Sequence, residues 1–285
     1  MIFEIKKMGF NNIELSFNLT EDMVQDTQKL VQAKEINVLS LHNFCPIPAG
    51  MERADALPDC FAMSSLDEIK REAAINHTKR TIDSAKTLGA GVVVLHCGRV
   101  EIPDRTRELI RIYDSGAKNT LGFTELREEL KEKRQRHAED HFENTLKSLA
   151  VLNSYAEEKG IKLGVETRFY YHEIPSFEEM GVILKKFEGT NIFFWHDTGH
   201  GQVQENLGFA KHQDYLDSYG KYLVGIHIHD IMGCQDHLSP LRGTFDFSLI
   251  KGYLNNDTIK IMEVHYPANP ENIKAGKKYL ETLFA

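Results

Sequence analysis

Short apolar runs rich in β-branched residues alternate along the chain with longer amphipathic stretches. The runs are Asn12–Phe17, Ile36–Leu41, Gly91–Leu95, Ile161–Val165, Ile192–Trp195, Leu223–Ile228 and Ile259–Val264. Most are too short and too continuously apolar for helices, so they predict buried parallel strands. The stretches between them predict helices. Thr20 is placed to cap one over Glu21–Lys34. A second covers about Ser65–Leu88 and stops at Gly89. A third covers about Leu126–Lys159 and stops at Gly160, with Phe142, Leu146, Leu149 and Ala150 on one face. Pro270 opens a last helix carrying Tyr279, Leu280 and Leu283. The segment from Arg99 to about Arg136 predicts an elaborated loop, and the charged run Glu125–Arg136 a solvated helix face.

Strands alternating with helices imply βαβ units and a parallel sheet, hence the α/β class. A chain of 285 residues fits two ordinary domains or one large (β/α)8 TIM barrel. No internal repeat or linker interrupts it, so a single domain over 1–285 is expected. Seven strands are visible where a closed barrel needs eight. Met1–Phe10, with Ile2, Ile5 and Met8 apolar, predicts a helix. The first strand therefore looks missing, supplied by sequence upstream of Met1 or its gap covered by another segment or subunit.

Composition narrows the function. The net charge of -8 and pI of about 5.9 argue against a general nucleic-acid binder, which needs clustered Lys and Arg. The four cysteines, Cys45, Cys60, Cys97 and Cys234, form no C-x-x-C pair, so a reducing compartment is the natural reading. No apolar run reaches the ~20 residues of a spanning helix. The charged N-terminus does not read as a signal peptide. A cytoplasmic protein that does not enter membranes is expected.

The polar residues fall at the strand ends. The second run ends in His42, the third in His96, and the next three in Glu166, Asp197 and the pair His227 and His229. The last carries Glu263. In a barrel these ends meet at one face. Carboxylates and imidazoles gathered there are ligands for Zn²⁺, Mn²⁺ or Co²⁺. Taken singly, each residue has a plainer role in a loop or as a helix cap. In Asp197-Thr-Gly-His200, Gly199 is read as permitting a sharp turn, and Asp197 as a ligand or, in the plainer reading, the cap of the next helix. His227 and His229 share one strand face, while Ile226 and Ile228 point toward the helices. His237 falls on the following loop, as a ligand or a structural residue. Arg168 is placed to grip a substrate phosphate or carboxylate, or to pair with a neighbouring acid. Cys97 faces away from His96, and Trp195 reads as core.

The segments Val165-Glu-Thr, His196-Asp-Thr-Gly-His200, Gly225-Ile-His-Ile-His-Asp230 and His237-Leu-Ser-Pro-Leu-Arg-Gly243 resemble the xylose isomerase-like TIM barrels. That group includes sugar-phosphate isomerases and epimerases, inosose-processing enzymes and endonuclease IV. The resemblance runs from Gly9 to Glu263. It implies that Glu166, Asp197, His227 and Glu263 hold one divalent metal, with His200 contacting substrate. In the trinuclear endonuclease branch, positions like His42, His96, His200 and His237 hold further metals. Those residues, with His229 and Arg168, are candidates for a second metal or for substrate. Gln235 stands where that branch has an Asp, and Leu241-Arg-Gly243 replaces its Gly-x-Gly.

The function expected is isomerisation or epimerisation of a sugar, polyol or sugar phosphate through an enediolate, with a divalent metal (Mn, Zn or Co). Glu166 and Glu263 would take and return the proton, and His200 would orient a hydroxyl. The rival is metal-dependent phosphodiester hydrolysis at abasic DNA, and a third class is a sugar-binding barrel without turnover. A homo-oligomer is compatible with each.

Overall fold

The structure, a computed structural model, describes residues 2–285. Its elements are α1 (Ile2–Lys7), β1 (Asn12–Leu15), α2 (Glu21–Gln32), β2 (Asn37–His42), α3 (Glu68–Leu88), β3 (Val92–Leu95), α4 (Thr106–Asp114), α5 (Leu121–Lys159), β4 (Lys162–Glu166) and α6 (Phe177–Lys186). There follow β5 (Ile192–Asp197), α7 (Thr198–Leu207), α8 (His212–Tyr219), β6 (Leu223–Ile228), β7 (Asp230–Met232), β8 (Gln235–Leu238), α9 (Ser248–Lys251), β9 (Ile259–Met262) and α10 (Pro270–Phe284). Seven strands form one sheet in the order β1-β2-β3-β4-β5-β6-β9, and β7 pairs with β8 in an antiparallel hairpin. All seven runs read from the sequence are strands of that sheet. Residues Ile2–Lys7 are helical, as their pattern predicts, and Met1 lies outside the described residues. None of the described helices is long and apolar enough to cross a membrane.

The chain forms two compact units. One comprises the residues up to Arg99 with Asp140–Glu166 and Val182–Phe193. Here β3, Val92-Val-Val-Leu95, is buried at all four positions between β2 and β4, which explains its unbroken apolar run. Asp67 caps α3 by accepting from the N–H groups of Ile69 and Lys70, and Gly89 ends it in the left-handed conformation at φ 72°. The end of β2 is tied to α3 by buried polar contacts. Asn43 donates to Thr78 Oγ1 at 2.9 Å, and Thr81 donates to Asn43 Oδ1 at 2.9 Å. That network fixes the backbone immediately after His42.

The second unit comprises Val100–Glu139, Thr167–Gly181 and Phe194–Ala285. In it Asp197 is level with His227, and His227 with Ile261, across a parallel ladder. Side chains alternate along a strand, so Trp195, Asp197 and His227 share one face. Glu263 continues the ladder, its N–H bonding the carbonyl of Ile228 at 3.2 Å. Gly225 lies opposite Trp195 and leaves room for the indole: a Cβ there would sit 2.1 Å from Trp195 Cζ3. On the other face Ile226 and Ile228 pack with Val203, Leu207, Leu216 and Leu280, toward the helices as expected.

The segment from Arg99 to Arg136 is not a loop. It carries α4 and the start of α5, whose Leu109, Phe123, Leu126 and Leu130 join the same apolar cluster. Positions 123, 126 and 130 are at helical spacing, which the dense charge between them obscures in the sequence.

His212, on α8, is buried beside His196 of β5, with the two Nε2 atoms 2.7 Å apart and its ring stacked on Phe245. Burial lowers its pKa from 6.5 to about 4. As the pH falls from 6.5 toward 4, the unfolded chain takes up a proton that the folded protein refuses. The stabilisation is complete above pH 6.5 and lost on descending to pH 4, by roughly 3 kcal/mol. Replacing His212 by Phe should flatten the fall of the urea midpoint across that window. An unchanged slope would assign the acid sensitivity elsewhere.

Candidate metal centre

The carboxylate of Asp197, at the end of β5, is wholly buried. Its Oδ1 accepts from the His200 N–H at 2.7 Å, so Asp197 does cap α7, the plainer of its two expected roles. Both its oxygens lie 3.1 Å from His229 Nε2. Its Oδ2 is 3.7 Å from His227 Nδ1, which in turn is 3.1 Å from Glu263 Oε2. Two carboxylates thus flank one fully buried imidazole at the ends of three adjacent strands. The donor set is that of a divalent transition metal or zinc.

His237 Nε2 is 3.8 Å from Glu263 Oε2, and ligand atoms of Asp197, His229, His237 and Glu263 lie within 4.8 Å of one another. A second group, His200, Asp236 and His237, meets the same limit of 4.8 Å. Asp236 was not among the residues singled out from sequence. It supplies a carboxylate beside His200 and His237 one position later than Gln235, where the trinuclear pattern would put it. Its Oδ2 is 3.1 Å from His237 Nδ1 and 3.8 Å from His200 Nε2. Burial drives the Asp236 pKa up, but the hydrogen bond and charge of His237 outweigh it and hold the carboxyl below its usual range. For His237, burial pulls down, and the carboxylates of Asp236, Glu263 and Asp197 raise the pKa to about 9. The residue lies on β8 at φ 55°, not on a loop. An ion held there would have to displace its proton. His265, also not anticipated, stacks on His237 with ring centroids 3.9 Å apart. The signal was its place two residues beyond Glu263.

His200 Nδ1 lies 2.9 Å from the carbonyl oxygen of Thr167. A carbonyl only accepts, so Nδ1 carries a proton, and in the neutral ring Nε2 offers a lone pair. In the first unit, His96 Nε2 is 2.7 Å from Glu166 Oε2, and His42 Nε2 is 3.7 Å from the same oxygen. His42, His96 and Glu166 therefore form their own cluster with ligand atoms within 4.8 Å of one another.

Gly199 makes no sharp turn: it lies inside α7, and a Cβ on it would sit 2.1 Å from His229 Cε1. Its role is to leave space for that ring. Arg168 is buried with its Nη2 2.7 Å from Glu173 Oε1, so it pairs with a neighbouring acid. Trp195 is core, as read.

The chain belongs to the xylose isomerase-like TIM barrel family, which it matches over residues 2–283. It is 24% identical over 259 residues to the uncharacterised protein y4fM of Sinorhizobium fredii, covering 86% of this chain and 73% of that one. Among solved structures it resembles an L-ribulose 3-epimerase at TM-score 0.69 and 16% identity, covering 99% of this chain and 87% of that one. It resembles the D-psicose 3-epimerase of Clostridium cellulolyticum H10, solved with D-tagatose, at TM-score 0.69 and 13% identity, covering 99% and 92%. At such identities these likenesses concern the fold.

The space at Gly199 gives a direct test. Gly199→Ala should destabilise the protein by roughly 1–3 kcal/mol, as overpacking does. Most of that cost should vanish when His229 is also Ala. Denaturant unfolding of the two single variants and the double variant reads the coupling. Strict additivity would show that the two residues do not compete for space.

Proposed function

We propose that this chain is a divalent-metal-dependent isomerase or epimerase of a sugar, polyol or sugar phosphate. The observation that carries the reading is the meeting of Asp197 and His227, both fully buried, with the half-buried Glu263 at adjacent strand ends. Glu166 is assigned as the fourth ligand by its resemblance to the family's metal set.

A divalent ion in this set would supply positive charge to stabilise the enediolate oxygens of the substrate. Glu166 and Glu263 are the carboxylates that would remove a proton beside the substrate carbonyl and return it. His200, through Nε2 of its neutral ring, would accept a hydrogen bond from a substrate hydroxyl and so orient it. The similarity of fold to 3-epimerases of ketoses favours a sugar of that kind.

A second reading, hydrolysis of abasic DNA, draws on the two further clusters, His42–His96–Glu166 and His200–Asp236–His237. The net charge of -8 opposes it. The purified protein should turn over a member of a sugar and sugar-phosphate panel when Mn²⁺, Zn²⁺ or Co²⁺ is added. It should leave an abasic duplex intact. Efficient metal-dependent nicking without sugar turnover would reverse the order of the two readings. Glu166→Gln keeps volume and removes a charge and a base. It should cut turnover roughly 10²–10⁴-fold with an unchanged circular dichroism spectrum. An unchanged rate would remove Glu166 from the reaction.

A further inference from the structure

We propose that His229 is a positioning residue that holds Asp197 in place and is not itself a metal ligand. The inference rests on the metal reading above, but its evidence is the wiring of one ring. His229 Nδ1 lies 2.8 Å from the backbone nitrogen of His237. A backbone N–H only donates, so Nδ1 must present its lone pair. The ring proton then sits on Nε2, 3.1 Å from each oxygen of Asp197. An imidazole in this tautomer has no lone pair left at Nε2 for an ion. Ligation from Nε2 would need a second deprotonation of the ring or the loss of the His237 contact.

Three consecutive residues close around His229. Asp197 receives its Nε2–H. Thr198 Oγ1 donates to the His229 carbonyl at 2.8 Å and accepts from the His229 N–H at 3.1 Å. Gly199 leaves the gap in which the ring lies, since a Cβ would approach Cε1 to 2.1 Å. His237 covers one ring face at 4.2 Å with planes 8° apart. The ring is fixed through its own backbone, both nitrogens and one face. It can therefore fix a carboxylate in turn, leaving Asp197 Oδ2 with lone pairs for an ion. The motif Asp197-Thr198-Gly199 thus serves His229 as much as it serves α7.

The test uses the full chain labelled with ¹⁵N-histidine, as purified and with saturating Zn²⁺, read by long-range ¹H–¹⁵N correlation. His229→Gln identifies the His229 signals. The expected result is a protonated Nε2 and an unprotonated Nδ1 in both states. A protonated Nδ1, or loss of the Nε2 proton when zinc is added, would overturn the proposal. In parallel, His229→Leu should weaken Mn²⁺ binding about 10–100-fold with stoichiometry at saturation unchanged. His229→Gln keeps an N–H donor toward Asp197 and should recover most of the affinity. Unchanged affinity in the Leu variant, or one ion lost from both variants, would overturn it. Failure of the metal reading would instead appear as no ion bound to the unaltered chain. The tautomer would still decide the role of His229.

Discussion

A carboxylate as deeply buried as that of Asp197 would cost several kcal/mol if left bare. Its surroundings offset that cost with directed donors. The first turn of α7 contributes the His200 N–H and the positive end of a helix, and His229 contributes an Nε2–H. Each donor comes from a different element, so satisfying one charge sets the positions of several others. The end of β5, the start of α7, the end of β6 and, through the His237 backbone, the β7–β8 hairpin are all referred to Asp197. The parallel ladder then brings His227 and Glu263 to the same face.

The two faces of β5 treat histidine in opposite ways. His212, packed near His196 with its ring on Phe245, has its pKa lowered to about 4 by burial. His237 is buried as well, but carboxylates on the site face raise it to about 9. Burial pulls both values down; it prevails at His212 over the weaker pull of Asp197, and the carboxylates beside His237 outweigh it there. That contrast marks one face as scaffold and the other as a place that attracts cations.

Much of this was legible in the sequence because β-strand burial leaves a short, dense apolar signal. All seven sheet strands show in that signal, and Asp197, His227 and Glu263 stand at or just beyond strand ends. Other features were hidden by their physics. The helices α4 and α5 begin inside a run whose charge masks Phe123, Leu126 and Leu130. Gly199 was read for its backbone freedom, but its lack of a side chain is what matters, and that depends on a ring 30 positions away. Asp236 does not stand out in the sequence because its motif position belongs to Gln235, yet its carboxylate lies 3.1 Å from His237 Nδ1. Arg168 offered two partners, and only folding selects Glu173.

The assignment of the metal centre is tested most directly by anomalous diffraction from crystals of the protein grown with Zn²⁺. A strong anomalous peak should lie ~2.0–2.3 Å from ligand atoms of Asp197, His227 and Glu263, with Glu166 completing the set. Zinc held only by other residues, or no peak among these three, would contradict it.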